Sequence, residues 1–233
     1  MQTLRIVFVA CLVFYLAAPA QATDPSLNTT QSRVSYSLGV ELGRSLQESA
    51  GPYELDPGVV ARGLQDALSG RHLLMDEEDL GEALAEFREI VASRQQEQRR
   101  QLAKANLEQG TSFLQSNANR QGVVQLPSGL QYQVLQKGDG PTPGLEQTVT
   151  VHYKGTLLDG TVFDSSYERG QPASFPLKGI IKGWQEALQR MPAGSKWRLF
   201  IPPDLAYGEQ QAGPHIGPNS VLIFDVELLG IEG

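Results

Sequence analysis

Near residue 125 the apolar repeat of the chain changes period, and no other feature restricts its fold as strongly. Before that point apolar residues recur every three or four positions; after it they recur at every second position, between turns rich in Gly and Pro. A period near 3.6 gathers apolar side chains on one stripe of a helix, whereas a period of two gathers them on one face of a strand. Such a chain pairs a helical N-terminal part with a sheet-bearing C-terminal part, because neither pattern is compatible with the other's backbone. Its 233 residues suffice for more than one compact unit.

In the helical part, Val34, Leu38, Leu42 and Leu46 predict a first helix over 31–48, with Gly39 and Gly43 on a neighbouring face. Each glycine costs about 1 kcal/mol inside a helix, so two at this spacing suggest that another helix backbone comes close. Asp56 as N-cap and Pro57 at the first helical position open a second helix, which carries Val59, Val60, Leu64, Ala67 and Leu68 and stops at Gly70. Asp76 opens a third, with Asp79 placed to complete a capping box. Its stripe of Leu80, Leu84, Phe87 and Val91 gives way to Ala-Ser-Arg-Gln-Gln-Glu-Gln-Arg-Arg-Gln over 92–101. These are mostly good helix formers with almost nothing to bury. One continuous helix over 77–117 is expected, about 60 Å long at 1.5 Å per residue. A helix that is polar all round bridges solvent between other parts. The segments before it are small and carry one weak stripe each, and such units bury their faces by dimerising.

In the second part, Leu130, Tyr132 and Val134 alternate with Gln131 and Gln133, and Val149, Val151 and Tyr153 with Thr150 and His152. Trp197, Leu199 and Ile201 share a strand face, as do Leu222, Phe224, Val226 and Leu228. Gly138 to Gly144 is a dense turn signal, and Leu158-Asp159-Gly160-Thr161 marks a hairpin. One short amphipathic helix, over 182–191, carries Trp184, Ala187, Leu188 and Met191. An antiparallel sheet with a helix on its inner face is an α+β domain. The whole chain is then expected as a signal segment (1–22), a helical dimerisation domain (23–75), a connecting helix (76–117) and an α+β domain (118–233).

The first 22 residues read as an export signal. Arg5 precedes an apolar run from Ile6 to Ala18, Pro19 breaks it, and Ala20-Gln21-Ala22 is a small-residue cleavage site. The run is shorter than the ~20 residues a membrane span needs. It also contains Cys11, the only cysteine, so the mature chain has no disulfide to form. The expected location is the periplasm, with outer-membrane or surface association open. A net charge of -7 without a Lys/Arg cluster argues against nucleic acid as a partner. Three scattered histidines and no mature cysteine exclude the usual metal-ligand, thiol and serine-triad patterns, so no metal or cofactor is expected.

Five segments carry a family resemblance: Val151-His-Tyr-Lys-Gly155, Gly160-Thr-Val-Phe-Asp-Ser-Ser166, Ile180-Ile-Lys-Gly-Trp184, Ile201-Pro-Pro-Asp-Leu-Ala-Tyr-Gly208 and Leu222-Ile-Phe-Asp-Val-Glu-Leu-Leu229. In order and spacing they resemble an FKBP-type peptidyl-prolyl isomerase domain. Ser35-Tyr-Ser-Leu-Gly39, Gly63-Leu-Gln-Asp-Ala-Leu-Ser-Gly70 and Leu126-Pro-Ser-Gly-Leu-Gln-Tyr132 look like the helical domain of the macrophage infectivity potentiator group. The resemblance implies isomerisation of Xaa-Pro bonds in exported polypeptides, a homodimer built through the N-terminal helices, and a pocket that macrolide inhibitors of the class can enter. A dimeric holdase whose isomerase activity is secondary is the alternative. The implied binding positions are Tyr153, Phe163, Asp164, Arg169, Ile180, Ile181, Trp184, Tyr207, Ile216 and Phe224. Of these, Asp164, Trp184, Tyr207 and Phe224 carry catalysis. Trp184 resembles the floor under the proline ring, and the Ile181 N–H and Tyr207 hydroxyl resemble donors to ligand carbonyls. Arg169 resembles a rim arginine that orients Tyr153 and Asp164. Ala173 departs from the family, many of whose members carry a large aromatic there, and so implies a wider wall. Residues 209–219 read as a flap.

Overall fold

The computed structural model describes residues 26–51 and 53–232, so the expected signal segment lies outside the described residues. The chain divides into two compact units, one ending at Pro57 and the other beginning at Gly58.

The first unit contains helix α1, Thr30–Ala50. A capping box starts it: the Thr29 hydroxyl accepts from the Ser32 N–H at 3.0 Å, and the Ser32 hydroxyl accepts from the Thr29 N–H at 3.2 Å. The expected stripe is present but uncovered, with Val34, Leu38, Leu42 and Leu46 between 43% and 60% exposed.

In the second unit, α2 (Pro57–Ser69) ends at Gly70 with φ 63°, the left-handed conformation that glycine adopts without strain. Its Asp66 is buried and receives a 2.7 Å hydrogen bond from Arg62 Nε. Helix α3 runs unbroken for 42 residues, Glu77–Ala118, and its Asp76 cap accepts from the Asp79 N–H at 2.9 Å. Residues 92–102 are exposed all round, as the polar text requires.

The last four turns of α3 are not a spacer. They dock on the outer face of the sheet. Phe113 packs on Phe200 at 5.8 Å between ring centroids. Gly110 lies so close to Val221 that a Cβ there would sit 2.7 Å from a Val221 methyl. Gln131 Nε2 donates to the Leu114 carbonyl and Asn117 Nδ2 donates to Gln131 Oε1, both at 2.8 Å. The seam is built largely from amide side chains and a glycine, so apolar periodicity did not mark it.

The sheet has seven antiparallel strands in the order β1-β2-β6-β7-β3-β4, with β5 beside β4 on the far edge of β3. The strands are β1 (Val123–Gln125), β2 (Gln131–Gln136), β3 (Thr148–Thr156), β4 (Val162–Ser165), β5 (Ala173–Pro176), β6 (Lys196–Ile201) and β7 (Leu222–Glu232). Alternation sends Val149, Val151, Leu199, Leu222, Val226 and Leu228 inward, where each is fully buried. Helix α4, Lys182–Leu188, lies on that face with Trp184, Ala187 and Leu188 in the same core. It is shorter than expected because its end tightens: the Arg190 and Met191 N–H groups donate to the Ala187 and Leu188 carbonyls, three residues back, both at 3.0 Å. Met191 is nonetheless fully buried. On the outer face Arg198 clamps Asp225 with two hydrogen bonds of 2.6 and 2.7 Å.

Candidate active site

Trp184, on the first turn of α4, forms a floor. It is 4% exposed, and three rings stand edge-on to it: Tyr153 at 5.2 Å, Phe224 at 5.2 Å and Phe175 at 6.1 Å. Interplanar angles of 83–89° between these rings and the indole are the T-shaped arrangement that opposed ring quadrupoles favour. Phe163 stands edge-on to Phe224 at 5.4 Å and closes a further side. Gly155 makes that closure possible: a Cβ there would lie 2.6 Å from the Phe163 ring and 2.8 Å from that of Phe224.

These walls enclose a pocket of about 610 Å³, lined also by Asp164, Gly179, Ile180, Ile181, Tyr207, Ala212, Gly213 and Ile216. All ten expected positions except Arg169 therefore line one cavity. Arg169 stands behind the lining and acts on two of its members. Its Nη2 donates to the Tyr153 hydroxyl at 2.8 Å and its Nη1 donates to Asp164 Oδ1, while Tyr153 donates its own proton to Asp164 Oδ2. The guanidinium also lies 5.5 Å from the centre of the Tyr153 ring. Among the described residues Asp164 is the only charged one in the lining, and its charge is matched within this triad.

The triad fixes protonation. Partial burial pushes the Asp164 carboxyl upward, but hydrogen bonds from Tyr153 and Arg169 and the adjacent positive charge outweigh it, so Asp164 ionises below the usual aspartate range. Burial, and then the bond to Asp164, hold the Tyr153 phenol above its usual range. Neither group exchanges protons near neutral pH, where a general acid or base must be poised.

Other lining is held from outside. Gln185 Nε2 donates to the Ile180 carbonyl at 2.7 Å and fixes the bend from which Ile180 and Ile181 enter the pocket. Tyr207 is 43% exposed at the mouth. The Trp184 indole Nε1 is buried without a hydrogen-bond partner among the described residues.

The sequence did not single out Phe175, Gly179, Ala212 and Gly213 as lining. Phe175 lies two residues beyond Ala173, within a four-residue strand too short to show alternation. Ala173 itself faces the core and is absent from the pocket wall, where Phe175 supplies an aromatic side.

A second cleft, of about 680 Å³, lies between the end of α3 and the outer face of the sheet. Arg120, Lys154 and the Arg198–Asp225 pair edge it. Charged side chains edge it, where aromatic and aliphatic side chains make up most of the other pocket's wall.

Comparison with known proteins agrees over nearly the whole chain. The family described as FKBP-type peptidyl-prolyl cis-trans isomerase matches residues 140–229, and the domain found amino-terminal to such isomerases matches residues 31–134. The outer membrane protein MIP of Legionella longbeachae is 41% identical over 230 residues, 98% of each chain. The peptidyl-prolyl cis-trans isomerase Mip of Coxiella burnetii is 46% identical over 217 residues, 93% of each. Among solved structures, FkpA from Escherichia coli is similar with a TM-score of 0.71 and 39% identity, over 89% of this chain and 99% of that one.

Proposed function

The chain belongs to the FKBP-type peptidyl-prolyl cis-trans isomerase family, and on that premise we propose that its aromatic pocket holds the Xaa-Pro segment and accelerates rotation about the bond. The protein is a peptidyl-prolyl cis-trans isomerase. The observation that carries the assignment of the site is the box of Tyr153, Phe163, Phe175 and Phe224 over Trp184, with the one lining charge neutralised by Arg169.

The chemistry follows from the amide. Resonance makes the planar bond polar and raises a barrier of ~20 kcal/mol to rotation. The twisted transition state has lost that resonance and is less polar. A dry aromatic box therefore favours the twisted form over the planar one, relative to water. No nucleophile or proton donor is required. In this reading the proline ring stacks on Trp184, Phe224 and Phe163 flank it, and Ile180 and Ile216 close the sides. The Ile181 N–H and the Tyr207 hydroxyl hold the flanking carbonyls. The Asp164 carboxylate, kept ionised by Tyr153 and Arg169, serves as a fixed dipole at the polar end. Macrolide inhibitors of the class would enter the same box.

The remaining parts of the chain set the context. The uncovered Leu38–Leu42 face of α1 supports a homodimer, in which a second copy buries the stripe. The leader over 1–22 supports export to the periplasm. Among the described residues no helix is long and apolar enough to cross a membrane. Holding of unfolded exported chains by that dimer, with isomerisation secondary, is the second reading.

A short Xaa-Pro peptide assay tests the site. Replacing Trp184 by Ala removes the floor and should lower kcat/KM by roughly 30- to 100-fold, the equivalent of ~2–3 kcal/mol. Unchanged kcat/KM in a folded Trp184→Ala protein would exclude this pocket as the catalytic site.

A further inference from the structure

The pocket is closed on one side by residues 209–219, and this strip is not free at its base. At its tip Ala212 and Ile216 exchange backbone hydrogen bonds of 2.9 and 3.3 Å. Gly213 between them has φ 60°. Ala212, Gly213 and Ile216 all face the pocket. At its base, Asn219 takes a left-handed conformation (φ 56°), and its N–H donates to the Gly208 carbonyl at 2.7 Å.

That base rests on helix α3. Asn106 Nδ2 donates to the Pro218 carbonyl at 2.8 Å, with Ser220 Oγ a further 3.4 Å contact. Asn219 Nδ2 returns a bond of 3.3 Å to the Ala103 carbonyl. A Cβ on Gly217 would lie 3.0 Å from a Leu102 methyl and 3.2 Å from Asn106 Nδ2, so the strip meets the helix at contact distance. Gly217 directly follows Ile216, a 7% exposed wall residue. The residue at the helix contact and the residue in the pocket wall are thus neighbours in the chain.

We propose that Asn106, on helix α3, is a positioning residue for the isomerase: through Pro218 and Gly217 it sets where Ile216, Ala212 and Gly213 stand, and so sets substrate affinity and selection at the residues beside proline. The proposal rests on the pocket assignment above. A helix holds its side chains far more rigidly than an eleven-residue loop holds its own tip. Binding a peptide to a loop already fixed avoids the ordering cost a free loop would incur. Because the loop forms a wall and not the floor, its effect falls on binding more than on the rotation step.

The test uses the full chain, a series of short Xaa-Pro peptides that differ only in Xaa, and separate kcat and KM values. Asn106→Asp keeps the shape, removes both donors and sets a carboxylate against the Pro218 carbonyl. KM should rise about fivefold, the equivalent of one neutral hydrogen bond, with kcat within twofold and a flatter ranking of the Xaa series. Independently, Gly217→Val drives a side chain into Leu102 and should raise KM likewise. Adding Leu102→Ala should restore it, while Leu102→Ala alone stays within twofold of the parent. A purely structural role would lower the melting temperature and leave KM, the Xaa ranking and the rescue unaffected. Trp184→Ala runs beside these variants. If it also retains full activity, the pocket assignment fails. If it loses activity while Asn106→Asp and Gly217→Val keep the parent KM and ranking, the positioning role is overturned. Should Asn106→Asp not fold, the Gly217 and Leu102 variants decide the question alone.

Discussion

Helix α1 and strand β3 are both written with regularly spaced apolar residues, and they end in opposite environments. Val149 and Val151 of β3 are fully buried, whereas Leu38 and Leu42 of α1 are 60% and 48% exposed. The strand's face is covered by elements of its own chain, α4 and the neighbouring strands. No described residue covers the helix stripe to a comparable degree. Pattern alone states that a face seeks burial; it does not state what supplies the cover. The sheet domain completes its core within one chain. The N-terminal helix is half of a contact, on the reading that a second copy completes it.

The sharpest way to break this comparison is to remove a methyl-rich side chain from each region. Leu222→Ala, at a fully buried position, should lower the stability of the catalytic domain by ~3–5 kcal/mol in urea titration. Leu38→Ala should change that domain's midpoint by less than ~0.5 kcal/mol. An equal loss from both would mean that α1 belongs to the catalytic core. A smaller effect sharpens the comparison from the other side. The double variant Leu38→Glu, Leu42→Glu places two charges on the stripe and should shift sedimentation to the monomer at micromolar concentration. Its kcat/KM on a short peptide should stay within twofold of the parent. A parent chain that is already monomeric under those conditions would remove the dimer.

The smallest effect concerns pH and lies wholly within the sheet domain. Asp164 has a folded pKa below its unfolded value of ~3.9, so ionisation stabilises the fold above that value. The contribution is lost as pH falls through the folded pKa. The stability difference between the parent and Asp164→Asn should therefore be constant from neutral pH to about pH 5, and shrink only in stronger acid. Rates of both proteins should be flat between about pH 5 and 8, because neither Asp164 nor Tyr153 exchanges protons there. A bell-shaped parent profile, abolished by Asp164→Asn, would restore acid–base catalysis.

The long helix and the main strands were legible because each repeats one period over many residues. Gln95 to Gln101 offers nothing to bury, yet contains no helix breaker, and the helix runs straight through it. The short strands β1 and β5 were not legible. Val123-Val-Gln125 holds only three residues, and Ala173-Ser-Phe-Pro176 only four. Pocket residues emerged from the motifs around Tyr153, Phe163, Trp184, Tyr207 and Phe224. Phe175 fell outside those motifs. The α3 seam was invisible for a different reason. Asn106, Gly110 and Asn117 bond or pack with residues far away in sequence, and a polar amide has no periodicity that announces a distant carbonyl as its partner. Leu102 and Leu107 hint at the seam, but both remain about half exposed.

The closed triad of Tyr153, Asp164 and Arg169 has one more consequence, for traffic into the site. A cleft lined by one sign of charge focuses field lines and draws oppositely charged chains at rates that salt suppresses. Here the single anion at the mouth spends its field on a guanidinium beside it. The lining itself then offers acidic and basic clients no unpaired charge, and salt has little local attraction to screen there. On the pocket assignment above, a client would be admitted by the shape of a proline and its neighbours rather than by the charge of the chain that bears it.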